Sequence, residues 1–185
     1  MYTLHFDGLF RGVSAKTNPS LNAGFMCYGW LVTEGDAVLA RGHGVFARGR
    51  DATSNIAEYL ALLEGLDALL DLGLAREPVL VCGDAKCVIE QMQGLAEVNS
   101  IRIKPIYQRA VNLARKFSHL DWRWQPRKLN YQADSLTRRA MRQVRLDDKS
   151  FQAAIKVIDP HSKNHSRSGK FLSLLDLRVY LPMKA

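Results

Sequence analysis

Residues 78–84 read Pro-Val-Leu-Val-Cys-Gly-Asp. A near-continuous apolar run after a proline is typical of a strand that is covered on both faces, as in the parallel sheets of α/β proteins. The run ends at Asp84, and ligands collect at the carboxyl ends of parallel strands. This stretch therefore predicts a buried strand that presents a carboxylate at the edge of a sheet.

The residues before this strand predict an antiparallel meander. Residues 2–10 alternate between apolar and polar side chains, as expected of a half-buried strand. Residues 24–33 and 37–46 are two more strand-like runs, and the turn residues Glu-Gly-Asp at 34–36 separate them.

Helical and strand-like segments alternate around and beyond residues 78–84. A helix capped by Thr53 or Ser54 is expected to end near Gly73, and its apolar stripe is Ile56, Leu60, Leu63, Leu66 and Leu70. Further helices are expected over residues 85–93, 104–117 and 130–145, with a strand over residues 120–125. We expect an α/β fold with a mixed five-stranded sheet, three strands antiparallel and two further strands parallel, flanked by helices.

Four carboxylates lie on or beside these apolar elements. Asp7 is in the first strand, Glu58 in the first helix, Asp84 at the end of the buried strand and Asp134 in the first turn of the last core helix. Burying such groups is costly unless a cation balances them. Oxygen ligands suit Mg²⁺ and Mn²⁺, so the pattern predicts a metal site.

The sequence around these carboxylates resembles the type 1 ribonuclease H family. Residues 52–59 read Ala-Thr-Ser-Asn-Ile-Ala-Glu-Tyr, residues 83–89 read Gly-Asp-Ala-Lys-Cys-Val-Ile, and residues 130–134 read Asn-Tyr-Gln-Ala-Asp. These segments are similar to the family's motifs and follow the same order of strand Asp, helix Glu, strand-end Asp and helix-start Asp. The resemblance covers about residues 1–140.

The resemblance implies an enzyme with a two-metal site. Asp7, Glu58, Asp84 and Asp134 would hold two Mg²⁺ (or Mn²⁺) ions and serve as the catalytic residues. The implied reaction is endonucleolytic hydrolysis of the RNA strand of an RNA–DNA hybrid, which leaves 5′-phosphate and 3′-hydroxyl ends.

Five further residues are candidates for substrate binding. By resemblance, Thr53 would contact a DNA phosphate, Asn55 the minor groove of the hybrid, and the backbone at Gly8 the 2′-hydroxyl. Arg127 would hold a phosphate, and Asn130 is the fifth candidate for substrate binding. Structural roles are equally open: a helix cap for Thr53, a capping side chain for Asn55, a flexible turn for Gly8 and a surface charge for Arg127.

The chain departs from many family members in the loop before the last core helix. Residues 124–130 read Trp-Gln-Pro-Arg-Lys-Leu-Asn and contain no histidine. This short loop resembles the variant branch in which arginine precedes the asparagine. His161 and His165 would reach the site only if the C-terminal residues fold back onto it.

Charge divides the chain into two parts. The net charge of +8 favours a polyanionic partner. Residues 141–185 carry nine Lys or Arg against four Asp or Glu, a surplus of five. We predict a ribonuclease H-like catalytic domain over residues 1–145 and a basic C-terminal extension over residues 146–185.

The extension contains a helical apolar pattern from Phe151 to Ile158, a basic loop over residues 160–170 and an apolar stretch over residues 171–181. That stretch suits a strand or a helix that packs against another surface. A nucleic-acid clamp, a site for a protein partner and a segment that covers the core all remain open, and we favour the last two.

The cysteines and the hydropathy of the sequence lead to expectations about where the protein is located and how it assembles. Three cysteines without a C-x-x-C pair are typical of a reducing, cytoplasmic compartment. No run of about 18 uncharged apolar residues is present, so we expect no membrane span. We also expect a monomer whose main partner is an RNA–DNA hybrid.

Three alternatives to this function are kept. The same carboxylate geometry could serve a nuclease that cuts double-stranded RNA or DNA. A catalytically silent module could bind nucleic acid through the basic surface, although four carboxylates in a binding groove argue against it. An adaptor could recruit a protein partner through the extension.

Overall fold

The computed structural model describes residues 1–13, 22–159 and 170–182, which form a mixed sheet with helices on its faces. The strands are β1 (Tyr2–Gly12), β2 (Gly24–Glu34), β3 (Ala37–Arg48), β4 (Pro78–Gly83), β5 (His119–Trp124) and β6 (Leu172–Tyr180). The helices are α1 (Ser54–Asp71), α2 (Lys86–Met92), α3 (Lys104–Ala114), α4 (Tyr131–Leu146) and α5 (Asp148–Ile158). The strand order across the sheet is β5-β4-β1-β2-β3-β6.

The predicted meander and parallel strands are confirmed. Strands β1, β2 and β3 pair antiparallel, and β4 and β5 lie parallel to β1 on its other side. Strand β2 is buried along all of its length except Glu34. Such complete burial follows from its central place in the sheet, where helices pack on both faces.

Two glycines allow the helices to approach the sheet closely. A Cβ at Gly8 of β1 would lie 2.2 Å from the backbone nitrogen of Glu58 in α1. A Cβ at Gly29 of β2 would lie 2.7 Å from the carbonyl oxygen of Ala133 in α4. Gly29 is paired with Asp7, the neighbour of Gly8, so the two glycines are on opposite faces of the sheet. Helices α1 and α4 therefore bring their polar residues to the same part of β1 from opposite sides.

The sheet formed by the described residues has six strands, so the expected number of five was wrong. Strand β6 pairs antiparallel with β3 and extends the sheet at that edge. The apolar stretch was predicted as a strand or a helix, and the strand is the form found. Its partner could not be read from local sequence, because the pairing joins residues more than 120 positions apart.

Part of the C-terminal extension packs on the domain. Ala154 and Ile158 of α5 are buried in an apolar cluster that is separate from the main core and includes Phe25, Val45 and Met141. The boundary between residues 145 and 146 stays a prediction. The basic loop predicted over residues 160–170, with His161 and His165, falls outside the described residues except for Lys170.

None of the helices among the described residues is both long and apolar enough to cross a membrane.

Candidate active site

Three of the four predicted carboxylates meet at one end of the sheet. Asp7, Glu58 and Asp84 each offer a ligand oxygen, and these oxygens lie within 4.8 Å of one another. The pairing of β1 with β4 explains part of this arrangement, because it sets Phe6 beside Gly83 and so brings residues 7 and 84 to the same edge. Helix α1 adds Glu58 through its close approach at Gly8.

Each of the three carboxylates accepts a hydrogen bond from a neutral donor. The Gly8 backbone N–H donates to Glu58 Oε2 at 3.0 Å, and the Thr137 hydroxyl donates to Asp7 Oδ2 at 3.0 Å. The Asn130 side-chain amide donates to Asp84 Oδ1 at 3.1 Å. The donors come from Gly8 in β1, from Asn130 just before α4 and from Thr137 within α4, so three separate contacts orient the carboxylates.

Burial makes these carboxylates hard to ionise together. Burial, reinforced by the Asp84 carboxylate, raises the pKa of Asp7 to about 7, although the Thr137 hydrogen bond opposes the shift. Burial also raises the pKa of Glu58 well above its usual value, and the charges of Asp7 and Asp84 add to this effect. Like charges held this close favour the protonated form unless a cation compensates them.

The residues present fit a divalent cation. The donor set consists entirely of carboxylate oxygens, which are the ligands that Mg²⁺ and Mn²⁺ prefer. Burial, together with the mutual repulsion of the carboxylates, raises the pKa values of Asp7 and Glu58, and positive charge would offset both effects. A bound cation would supply it.

Asp134 lies outside the group of three, and two arginines hold its carboxylate. Arg127 donates from Nε to Asp134 Oδ1 at 3.2 Å, and Arg138 donates from Nε to Oδ2 at 2.7 Å. Partial burial acts against it, but the hydrogen bonds from Arg127 and then Arg138 hold the pKa of Asp134 below its usual value. Its role as a fourth ligand stays a prediction.

Comparison with known proteins identifies the family. Residues 27–140, more than half of the chain, match a family model described as reverse transcriptase-like. The chain is 30% identical to ribonuclease H1 of Halobacterium salinarum, whose crystal structure superimposes with a TM-score of 0.66 over 77% of this chain and 98% of that one. The chain belongs to the type 1 ribonuclease H family.

Relatives in Mycobacterium tuberculosis support the same membership. An N-terminal ribonuclease H domain from that bacterium is 34% identical, with a TM-score of 0.64 over 83% of this chain and 97% of that one. A bifunctional protein of the same species is 36% identical over 139 residues, which are 75% of this chain and 36% of that protein. This chain thus spans about a third of the length of that curated relative.

The residues proposed to bind substrate in this ribonuclease H chain occupy different environments. Asn55 is exposed in the first turn of α1, and Arg127 is exposed beside Asp134. Thr53 caps α1 by accepting a hydrogen bond from the Ile56 N–H at 3.2 Å, so its structural role is confirmed. Gly8 serves the packing of α1 and donates to Glu58. Contact of these residues with substrate stays a prediction.

Asn130 lies in the interior of the site. Only 1% of its surface is exposed, and its amide donates both to Asp84 and to the Phe6 carbonyl oxygen, the latter at 2.8 Å. The buried Gln125 donates to Asn130 Oδ1 at 3.1 Å and fixes the orientation of the amide. In the structure, therefore, Asn130 positions Asp84.

Sequence reasoning missed three supporting residues: Thr137, Gln125 and Trp124. Thr137 comes three positions after Asp134, so helical spacing could have placed it near the same face. The Trp124 indole N–H donates to the Asp84 carbonyl oxygen at 3.1 Å, and no local pattern indicates that contact. Gln125 follows Trp124 at the end of β5, where the parallel strands present their carboxyl ends.

Proposed function

We propose that this chain is a ribonuclease H that hydrolyses the RNA strand of an RNA–DNA hybrid, with Asp7, Glu58, Asp84 and Asp134 holding two Mg²⁺ or Mn²⁺ ions. The observation that carries the proposal is the convergence of Asp7, Glu58 and Asp84 from three different elements. Membership of the ribonuclease H family supports the choice of substrate and of the products, which carry 5′-phosphate and 3′-hydroxyl ends.

When bound, the ions supply activation of the attacking water and stabilisation of the leaving oxygen. The chain's own residues orient the carboxylates that would hold these ions. Thr137 donates a hydrogen bond to Asp7 Oδ2, and the Gly8 N–H donates one to Glu58 Oε2. The second oxygen of each carboxylate would then bind the metal ion. Asn130 donates both to Asp84, at the end of β4, and to the Phe6 carbonyl oxygen in β1, and in this way it links the two strands.

The candidates for substrate contacts are residues near the end of the sheet that carries the three carboxylates. Arg127 is exposed and carries a guanidinium group that suits a phosphate. Arg127 also forms an ion pair with Asp134. Thr53 and Asn55, at the start of α1, are the candidates for the DNA strand. The role of Asp134 as a fourth ligand requires its ion pairs with Arg127 and Arg138 to rearrange.

The direct test is cleavage of an end-labelled RNA–DNA hybrid, beside matched duplex RNA and duplex DNA, in Mg²⁺, Mn²⁺ and EDTA. Wild type is compared with Asp84→Asn, which keeps the shape of the side chain and removes its charge. Asp121→Asn, on the exposed part of β5, is the matched control. We expect cutting of the RNA strand in the hybrid alone, abolished by EDTA and reduced about 1,000-fold or more in Asp84→Asn, because several kcal/mol of stabilisation are lost.

Three results would contradict the proposal. Binding of the hybrid without cleavage in either metal would indicate a silent nucleic-acid-binding module. Equal cleavage of duplex RNA would indicate a nuclease of broader substrate range. Similar activity of Asp84→Asn and Asp121→Asn would place the catalytic centre elsewhere.

A further inference from the structure

Strand β6 is fixed to the domain by polar contacts on one face. The Tyr28 hydroxyl donates to Asp176 at 2.7 Å, and the Tyr180 hydroxyl donates to Asp71 of α1 at 2.7 Å. Arg178 forms ion pairs with Glu64 and Asp71, at 2.5 and 3.3 Å. Because these contacts hold the strand in register, its outer edge has a defined position.

The outer edge of β6 presents hydrogen-bonding groups. The Leu181 N–H donates to the Leu39 carbonyl oxygen at 2.8 Å, so the backbone of Leu181 faces β3. Backbone groups alternate in direction along a strand, and therefore Tyr180, Arg178 and Asp176 direct their N–H and C=O groups away from β3. Strand β6 is the last in the strand order, so no strand among the described residues pairs with these groups.

This edge carries only some of the features that usually protect an edge strand: Asp176 and Arg178 are charged, and the register shifts before Leu175. Between Leu175 and Tyr180 there is no proline, no lysine and no break in register. The side chains of Leu177 and Val179 lie on the face opposite the ion pairs, and 40% and 43% of their surfaces are exposed. Apolar side chains on an open edge favour pairing with another strand.

The charges along the edge are complementary to those of the same strand running in the opposite direction. If a second copy of β6 pairs antiparallel about a two-fold axis at Leu177, Asp176 of each copy lies opposite Arg178 of the other. If the axis is at Asp176 or at Arg178, like charges oppose each other, which is destabilising. The register centred on Leu177 also matches the backbone, since Asp176 and Arg178 form outward hydrogen-bonded pairs and Leu177 meets Leu177 between them.

We propose that β6 is a homodimerisation edge, at which two copies of this chain join their six-stranded sheets through antiparallel β6 strands centred on Leu177. The contact is isologous, because the same surface is used by both copies. Pairing buries the exposed parts of Leu177 and Val179 and satisfies the backbone groups of the edge. It departs from the monomer that the sequence led us to expect.

The first test is the oligomeric state of the full chain in a dilution series, measured by sedimentation velocity. We expect a monomer–dimer equilibrium that Leu177→Lys shifts to monomer, since it places two lysines at the two-fold axis. Leu146→Lys is the matched control, because Leu146 is an exposed leucine (84% exposed) at the end of α4 and is not part of β6. Leu177→Asp should also be monomeric, and a mixture of Leu177→Lys with Leu177→Asp should recover the dimer.

The second test fixes the register by disulfide trapping in a Cys87→Ser background, which removes the exposed cysteine. Leu177→Cys should cross-link on oxidation, because opposed residues in a non-hydrogen-bonded pair have Cα atoms about 4.5 Å apart, within disulfide range. Ser173→Cys should not, because the two cysteines would lie about 27 Å apart along the strands. A wild type that stays monomeric at all concentrations, a dimer unaffected by Leu177→Lys, or equal cross-linking of both variants would overturn the proposal.

Discussion

Two acidic clusters lie at different places on this domain, and they differ in what balances their charge. At the carboxyl end of β4, Asp7, Glu58 and Asp84 accept hydrogen bonds from a hydroxyl, a backbone N–H and a side-chain amide, respectively, all neutral. Near β6, Glu64, Asp71 and Asp176 surround Arg178, which forms ion pairs with all three. The second cluster contains its own cation, whereas the first is suited to receive one.

The difference separates a cluster that is balanced within the chain from the carboxylates that we propose as the metal site. Burial raises the pKa of Glu64, but the Arg178 charge opposes that effect within the chain itself. In the first cluster the neighbouring carboxylates add to the effect of burial, and the pKa of Asp7 reaches about 7. Perturbed pKa values of this kind, caused by burial together with neighbouring charges, are typical of functional sites.

The largest effect on stability is expected from breaking the balanced cluster. Arg178→Ala leaves Glu64 and Asp71 without their shared cation and should lower the free energy of unfolding by about 3 kcal/mol, because partly buried charges lose their partner. Urea unfolding at a low protein concentration measures the change. Arg123→Ala, at an exposed position of β5, is the control. An equal effect of the two substitutions would show that the ion pairs of Arg178 do not add to the free energy of unfolding.

A pH series should distinguish the two clusters next. The raised pKa of Asp7 means that the folded protein keeps a proton which the unfolded chain releases above about pH 4, so stability falls as pH rises toward about 7. In EDTA, wild type should lose about 2 kcal/mol between pH 5.5 and 8.

Two comparisons sharpen this pH prediction. Asp7→Asn should reduce the loss, since the titrating group is removed while Thr137 keeps a side-chain oxygen to donate to. Millimolar Mg²⁺ should restore stability at pH 8 in wild type and much less in Asp7→Asn. Parallel pH curves for the two proteins in EDTA would contradict the assignment.

A smaller effect on stability is expected from the amide that links the site to β1. Asn130→Ala removes the donor to the Phe6 carbonyl and to Asp84, and should cost about 1–2 kcal/mol because buried polar groups lose their partner. Hybrid cleavage, measured where the variant is fully folded, should also fall. If kcat is unchanged, positioning of Asp84 by Asn130 is unimportant. Asn112→Ala, on α3, is a matched control.

Local sequence was sufficient for much of this account. Apolar alternation predicted β1 to β3, and the run ending at Asp84 predicted a buried parallel strand with a carboxylate at its end. Contacts between distant residues were not predictable in the same way. The pairing of β6 with β3 and the hydrogen bond from Thr137 to Asp7 join residues more than 120 positions apart. The engagement of Asp134 by Arg127 and Arg138 depends on side-chain orientation, which spacing alone does not fix.

The central claim is our proposal that Asp7, Glu58 and Asp84 form a site for a divalent cation. The most direct measurement is titration of the protein with Mn²⁺ at pH 8, followed by the loss of the EPR signal of the free ion, for wild type, Asp84→Asn and Asp121→Asn. The account predicts saturable binding in wild type and Asp121→Asn, and strongly weakened binding in Asp84→Asn. Equal binding by all three proteins, or none by wild type, would contradict it.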